Sequence, residues 1–182
     1  MHGNFQVEVI FVDYNNHTTN KVNFIVMNKT LVLGIGNPLM QDDGVGVYVV
    51  QQLKANHPDY PQVEFLDGGT LSFSLIGEIE SVTNLIVIDA AQFSAEPGTV
   101  RIFLGEEMDL LLGRQKNSSV HDVTLVDLMS IALLSDSLPY RRALIGIQPG
   151  CIDWSTEPTP AVKKAIPHAC EIAMELIEKW RT

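Results

Sequence analysis

Cysteine is almost missing from this chain. Cys151 and Cys170 are its only two in 182 residues, and their separation fits no CxxC metal or redox motif. A cytosolic chain would keep both as thiols, and both are expected in the core. Basic residues are scarce as well. Twelve Lys and Arg face 22 Asp and Glu, and the resulting net charge of −10 argues against nucleic acid or an anionic membrane as the main partner. A basic or metal-bearing partner fits that charge better. No apolar run approaches the roughly 20 residues of a membrane helix, and the start of the chain lacks the charged-then-apolar order of a signal segment. A cytoplasmic protein without a membrane partner is expected. There is no GxSxG elbow, and neither cysteine lies in a nucleophile motif, which argues against serine or cysteine protease chemistry. Internal repeats, low-complexity runs and interdomain linkers are missing too, so the chain, 46% hydrophobic, reads as one globular domain.

Residues 1–26 differ in character from the rest of the chain. The polar stretch DYNNHTTNK lies between the short apolar pieces FQVEVIFV and VNFIV, a pattern open to an added hairpin. Met27 directly precedes the first clear strand and is an alternative natural start, which divides the chain into an N-terminal extension (1–26) and a main domain (27–182). The extension is expected to be non-catalytic.

In the main domain, strand-like runs at Thr30 to Ile35, Val63 to Leu66, Leu85 to Ile88, Val100 to Leu104 and Ala143 to Ile147 alternate with helical ones. The helical runs are Asp43 to Ala55, Thr70 to Glu80, His121 to Leu134 and about Thr159 to Trp180. This alternation predicts an α/β fold: a single-domain three-layer sandwich with a mostly parallel, twisted five-stranded sheet and helices on both faces. The short PGT connection at Pro97 to Thr99 predicts an antiparallel hairpin between the third and fourth strands, at one sheet edge. Val162, Ile166, Ala169, Ala173, Leu176 and Trp180 form an apolar stripe along the last helix, which Pro167 is expected to kink or divide.

The segment LVLGIGNPLMQDDGVGVYVV, Leu31 to Val50, concentrates the chemistry. An apolar strand runs into a turn built on Gly34, Gly36, Asn37 and Pro38, and Asp42 and Asp43 then open a helix. An N-capping role is available to each acid, because the positive helix end favours a carboxylate. Ligands of open parallel sheets gather at the carboxyl ends of strands. Two further acids fall there, Asp67 in FLDGGT and Asp89 in VIDA. A single such acid is ordinary turn chemistry. Several at neighbouring strand ends repel one another unless something positive sits among them, and a metal ion is the natural candidate. Gly68 and Gly69 allow close approach of a ligand or another backbone, or simply a tight turn.

Of the five histidines, His121 is placed for function, following the polar loop RQKNSSV and opening an apolar helix whose dipole favours a neutral, ligating imidazole. His2, His17, His57 and His168 read as exposed or structural. Asp43, Asp67 and His121 together offer two oxygens and one nitrogen, a set suited to zinc, nickel or iron with open positions. Two other readings stay open on the residues alone. GIGNPLM is half of a GxGxxG dinucleotide fingerprint, and the carboxylate–imidazole set also suits a non-catalytic nickel-binding or assembly-chaperone module.

As a set, GIGNPLMQDDGVG, LDGGT and the isolated His121 before an apolar helix resemble the hydrogenase maturation endopeptidases. The resemblance runs from about Lys29 to Trp180 and takes in the LIVIDA strand, the EPGT turn and LIGIQPG before the last helix. It implies an endopeptidase that removes the C-terminal extension of a nickel–iron hydrogenase large-subunit precursor after nickel insertion. It further implies that Asp43, Asp67 and His121 are both the catalytic and the metal-reading residues, and that the metal is the substrate's own nickel, with zinc or cadmium able to substitute in the isolated protein. Asp42 and Asp89 are expected to support the turn or the ligands through hydrogen bonds, and Cys151 to be structural. The hydrolytic water is then activated either by the metal or by a carboxylate base.

Overall fold

A computed structural model describes residues 6–9, 22–25, 28–70, 73–114 and 124–181. Strands β1 (Gln6–Val9) and β2 (Val22–Ile25) pair antiparallel in a small sheet of their own. The main sheet holds β3 (Thr30–Ile35), β4 (Val63–Gly69), β5 (Asn84–Ala90), β6 (Val100–Leu104) and β7 (Arg141–Ile147), in the spatial order β4-β3-β5-β7-β6. Four of these strands run parallel, and β6 is the antiparallel edge. This is the expected α/β sandwich. One detail is corrected: β6 pairs with β7, so β5 and β6 form no hairpin. The chain leaves β5, passes beyond the place that β7 later fills, and returns along the edge.

Helices α1 (Val45–Asn56) and α5 (Pro160–Arg181) cover one face of the sheet. Against them pack Val32 of β3, Ile86 and Ile88 of β5, and Ala143, Ile145 and Ile147 of β7. The intervening residues Leu31, Leu33, Leu85, Val87 and Leu144 point the other way, into a second core. That core is closed by α2 (Ile76–Glu80), α3 (Glu106–Arg114) and α4 (Leu125–Leu134). Period-two alternation in strands apolar on both faces thus produces two cores from one sheet.

Three helical expectations change. Helix α3 falls in a stretch that the sequence pattern left unassigned, since acids fill its first turn. It is held by buried Met108 and Leu112 and by Asp109, whose carboxylate takes a hydrogen bond of 2.9 Å from Arg142 Nε on β7. Pro167 does not divide α5, which runs unbroken from Pro160 to Arg181. The proline removes one backbone donor, but ten buried side chains along the helix hold it to the sheet. Helix α4 opens at Leu125, where the Thr124 hydroxyl accepts from the Asp127 N–H and the Asp127 carboxylate accepts in turn from the Thr124 N–H. The helix-dipole argument for a neutral, helix-opening His121 therefore does not carry over, and His121 itself lies outside the described residues.

The strand order fixes where a site can form. The chain leaves β3 through α1 to β4 on one side, whereas β5 lies on the other side of β3, so the connections diverge at the carboxyl ends of β3 and β5. Helix α1 begins directly above that point. A Cβ on Gly46 would stand 2.1 Å from the Ile88 carbonyl oxygen and 2.5 Å from that of Ile35, so this approach needs a glycine. Gly46→Ala should lower unfolding stability by about 3 kcal/mol, read from urea midpoints, because rigid strand backbone must move to admit the methyl group.

Candidate active site

The acid pair of the first turn divides. Neither carboxylate caps a helix: Asp42 and Asp43 lie in a short 3-10 turn, Gln41–Gly44, that leads into α1, and no side-chain cap bond is made at either helix start. Asp42 is fully buried (0% exposed). Its Oδ2 accepts from the N–H groups of Gly150 (2.8 Å) and Cys151 (3.0 Å) and from Thr159 Oγ1 (2.9 Å). Its Oδ1 accepts from the Thr159 N–H at 2.6 Å. Asp42 thus anchors the loop of residues 149–159 to the turn after β3, as a supporting residue. Cys151 is corrected from a core position to an exposed one, because the loop offers Asp42 its backbone while the thiol faces outward.

Asp43 faces the other way. Its Oδ2 accepts from the Asn37 N–H at 2.7 Å, and Asn37 Oδ1 accepts from the Leu39 N–H at 3.0 Å. Gly36 makes this turn possible: its φ is +123°, and a Cβ there would lie 1.8 Å from the Asp43 carbonyl oxygen.

Asp67 is exposed at the end of β4. Its Oδ1 accepts from the Gly69 N–H at 3.0 Å, and its Oδ2 accepts from Gln51 Nε2 on α1 at 3.2 Å. The pairing of β3 with β4 skips at this point: Gly34 lies opposite Asp67 and Ile35 opposite Gly69, leaving Gly68 as a bulge. The paired glycines of the DGG sequence serve this irregularity beside the carboxylate.

Asp89, near the end of β5, is the third acid. Burial, and after it the negative charge of Asp43, raise its pKa to about 8, while a bond from the Ala90 N–H opposes both. The mutual repulsion expected of acids gathered at neighbouring strand ends is thus relieved by retention of a proton.

The structure therefore brings Asp43, Asp67 and Asp89 to the carboxyl ends of adjacent strands and assigns Asp42 to scaffolding. Two positioning residues, Asn37 and Gln51, were not singled out from the sequence for this purpose. Asn37 is visible there only as a turn residue, and Gln51 only as a polar position on α1 two turns beyond Asp43. Among the described residues, no three His, Cys, Asp or Glu side chains form a group able to hold a metal ion. The expected third partner, His121, lies outside them. A cavity of about 620 Å³ opens between Lys29, Lys54 and β4, toward the amino ends of the strands and away from this site.

A family model described as hydrogenase maturation protease matches residues 47–176. The chain belongs to that family. It is 34% identical over 154 residues to the hydrogenase expression/formation protein HupD of Bradyrhizobium diazoefficiens, covering 84% of this chain and 80% of that protein. To the hydrogenase 2 maturation protease of Escherichia coli it is 34% identical over 146 residues, 79% of this chain and 87% of the relative. Its fold superposes on the E. coli maturating endopeptidase HybD with a TM-score of 0.74 at 30% identity, over 83% of this chain and 93% of HybD. As a hydrogenase maturation protease the chain is an endopeptidase, and the site geometry is to be read as that of a peptide-hydrolysing enzyme.

Removing the Asp42 anchor should be costly. Asp42→Ala strands three N–H groups and a hydroxyl, and a loss of about 3–5 kcal/mol is expected in chemical denaturation.

Asp89 gives a pH signature. Its folded pKa lies above that of the unfolded chain, so the folded state holds an extra proton between about pH 4 and pH 8. The contribution of Asp89 to stability is thus unpenalised below this window and becomes less favourable through it as pH rises, by up to about 1.4 kcal/mol per pH unit. Asp89→Asn should flatten that decline in metal-free thermal melts taken from pH 5 to pH 9. An undiminished slope would contradict the assignment.

Proposed function

We propose that this protein removes a C-terminal extension from a nickel–iron hydrogenase large-subunit precursor in the cytoplasm after nickel insertion, using the bound nickel to recognise its substrate. The observation that carries the proposal is the pair Asp43 and Asp67. Each has one oxygen steadied by a backbone N–H, and each stands at the carboxyl end of a neighbouring parallel strand in a chain of this protease family. Steadied carboxylates are preorganised ligands and bases, since little side-chain freedom is lost when they engage a substrate.

In this reading Asp43, Asp67 and His121 contact the precursor's nickel. Two carboxylates and an imidazole form a hard-to-borderline donor set that accepts a divalent metal and leaves positions for the precursor's own ligands. The metal is thereby part of the substrate.

Hydrolysis adds the oxygen of water to the scissile carbonyl carbon, breaks the C–N bond and delivers a proton to the departing nitrogen. Asp43 and Asp67 are the groups available to take the proton of that water. A carboxylate that takes this proton is one left free by the nickel, which then only positions the substrate; with both carboxylates on the metal, the nickel polarises the water and the proton it loses passes to the departing nitrogen.

The test is incubation with the cognate large-subunit precursor in nickel-loaded and nickel-free forms, followed by mass spectrometry. Release of a short C-terminal peptide from the loaded form alone is the expected result. No release from a loaded precursor would overturn the proposal, and equal release from both forms would overturn the role of nickel. Asp43→Asn, Asp67→Asn and His121→Ala should each slow release by about a hundredfold or more. Melting temperatures of the two Asp→Asn variants should remain within about 2 °C of the parent, because Asp67 is exposed, Asp43 is only half-buried, and the amide keeps the side-chain shape and an oxygen for the backbone N–H.

A further inference from the structure

We infer that Trp154, Ile152 and Leu39 form a docking surface for the precursor segment beside the scissile bond, a segment that presents a large apolar side chain flanked by lysine or arginine. The inference rests on the proposed processing activity and adds to it the place where polypeptide selectivity resides.

Three large apolar side chains stand out from two loops at the site: Trp154 is 77% exposed, Leu39 52% and Ile152 49%. A single exposed leucine needs no explanation. A tryptophan, an isoleucine and a leucine on two touching loops do, since tryptophan is the side chain most enriched at the energetic centres of protein contacts.

The two loops are tied to Asp43, one of the proposed reacting carboxylates. Ser155, next to Trp154, donates its N–H to the Leu39 carbonyl at 3.1 Å, and its own carbonyl accepts from the Gln41 N–H at 2.9 Å. The Leu39 N–H bonds to Asn37 Oδ1 at 3.0 Å, and the Asn37 N–H bonds to Asp43 Oδ2 at 2.7 Å. An unbroken path of hydrogen bonds therefore links the backbone beside Trp154 to Asp43. Under this inference, polypeptide whose scissile bond lies at Asp43 runs over these loops.

The loops are also preformed. Asp42 ties residues 150, 151 and 159 to the turn, and the Tyr48 hydroxyl sits between the carbonyls of Pro38 (3.0 Å) and Thr156 (2.7 Å), one from each loop, with its single proton available to either. An apolar patch held rigid loses little entropy on docking.

Charge defines the rest of the occupant. On residues 36–43 and 149–159 the carboxylates that reach the surface are Asp43, Asp153 and Glu157, the last paired with Lys163 of α5 at 3.2 Å, and the two segments hold no lysine, arginine or histidine of their own. An apolar anchor with cationic neighbours complements that surface, and an anionic lipid surface does not.

The test compares steady-state processing of the nickel-loaded precursor by the full-length parent, Trp154→Ser, Trp154→Phe and Leu39→Ser. Trp154→Ser should raise KM about tenfold with kcat within about twofold and melting temperature within about 2 °C, while Trp154→Phe recovers most of the loss. Leu39→Ser should raise KM by a smaller factor. An unchanged KM in Trp154→Ser and Leu39→Ser, with the parent active, overturns the docking surface and leaves the processing activity standing. A parent that does not shorten the precursor overturns the activity and this inference together. Sedimentation decides the remaining alternative: a parent dimer that Trp154→Ser converts to monomer shows the patch covered by a second copy of the chain, which also overturns the inference.

Discussion

The fold places its strands, but the site depends on one buried carboxylate. Asp42 accepts three backbone N–H groups and one hydroxyl at distances of 2.6–3.0 Å, all from a loop more than a hundred residues away in sequence. That loop follows β7 and the turn follows β3, and β5 lies between those two strands in the sheet. The two strands are therefore not bonded to each other, and the segments that follow them meet through the Met40–Ser155 bridge, the bond from the Asp42 N–H to the Cys151 carbonyl (3.3 Å) and the four bonds to the Asp42 carboxylate. A buried charge is tolerable only when its oxygens are satisfied, and here all four partners come from one short segment, so burial and loop closure are the same event. The neighbouring acid can face the cleft because Asp42 fixes the turn from behind. The doublet thus separates two jobs that a single acid could not perform at once.

The cleft electrostatics depend on how the remaining acids share charge. Asp43, Asp67 and Asp89 stand at the carboxyl ends of adjacent parallel strands, and three full negative charges there would oppose folding. Burial beside Asp43 lets Asp89 keep its proton up to about pH 8, and Asp67 sits where water screens it. With Asp89 neutral, the site presents the two carboxylates of Asp43 and Asp67 to an incoming cation. This suits a protein whose metal arrives with the substrate.

How much of this was legible in the sequence depended on the range of the interaction concerned. Apolar runs broken by glycine turns revealed the strands, because each run is buried on both faces by its own composition. The antiparallel edge was legible, but its partner was not. A short PGT connection suggests that β5 and β6 adjoin, whereas β7, which contributes the greater burial, takes the central place and displaces β6 outward. Helix α3 escaped notice because its acids obscure the spacing of Met108 and Leu112. The doublet Asp42–Asp43 marked the site, yet its division of labour rests on Gly150, Cys151 and Thr159, whose approach is a tertiary event with no local signal. The same reason hid Gln51. It is an ordinary helical polar residue until the bulge at Gly68 brings Asp67 within its reach.

The bulge and the Asp42 anchor act on opposite sides of the crevice, and their combination explains a site that is open but not loose. Asp67 lies on β4, an outer strand of the main sheet, and is exposed among the described residues, which leaves a bulky folded substrate room to approach it. Such openness would ordinarily lose orientation, since exposed carboxylates sample several rotamers. Here each one is held by a backbone N–H within its own turn, Asn37 for Asp43 and Gly69 for Asp67, and the turns are locked by a glycine at positive φ and by the strand bulge respectively. Among the described residues, the rigidity is supplied by the backbone. An endopeptidase built this way has little means of gripping an arbitrary extended peptide, and its selectivity must come from surfaces beside the carboxylates and from what the substrate itself brings to them.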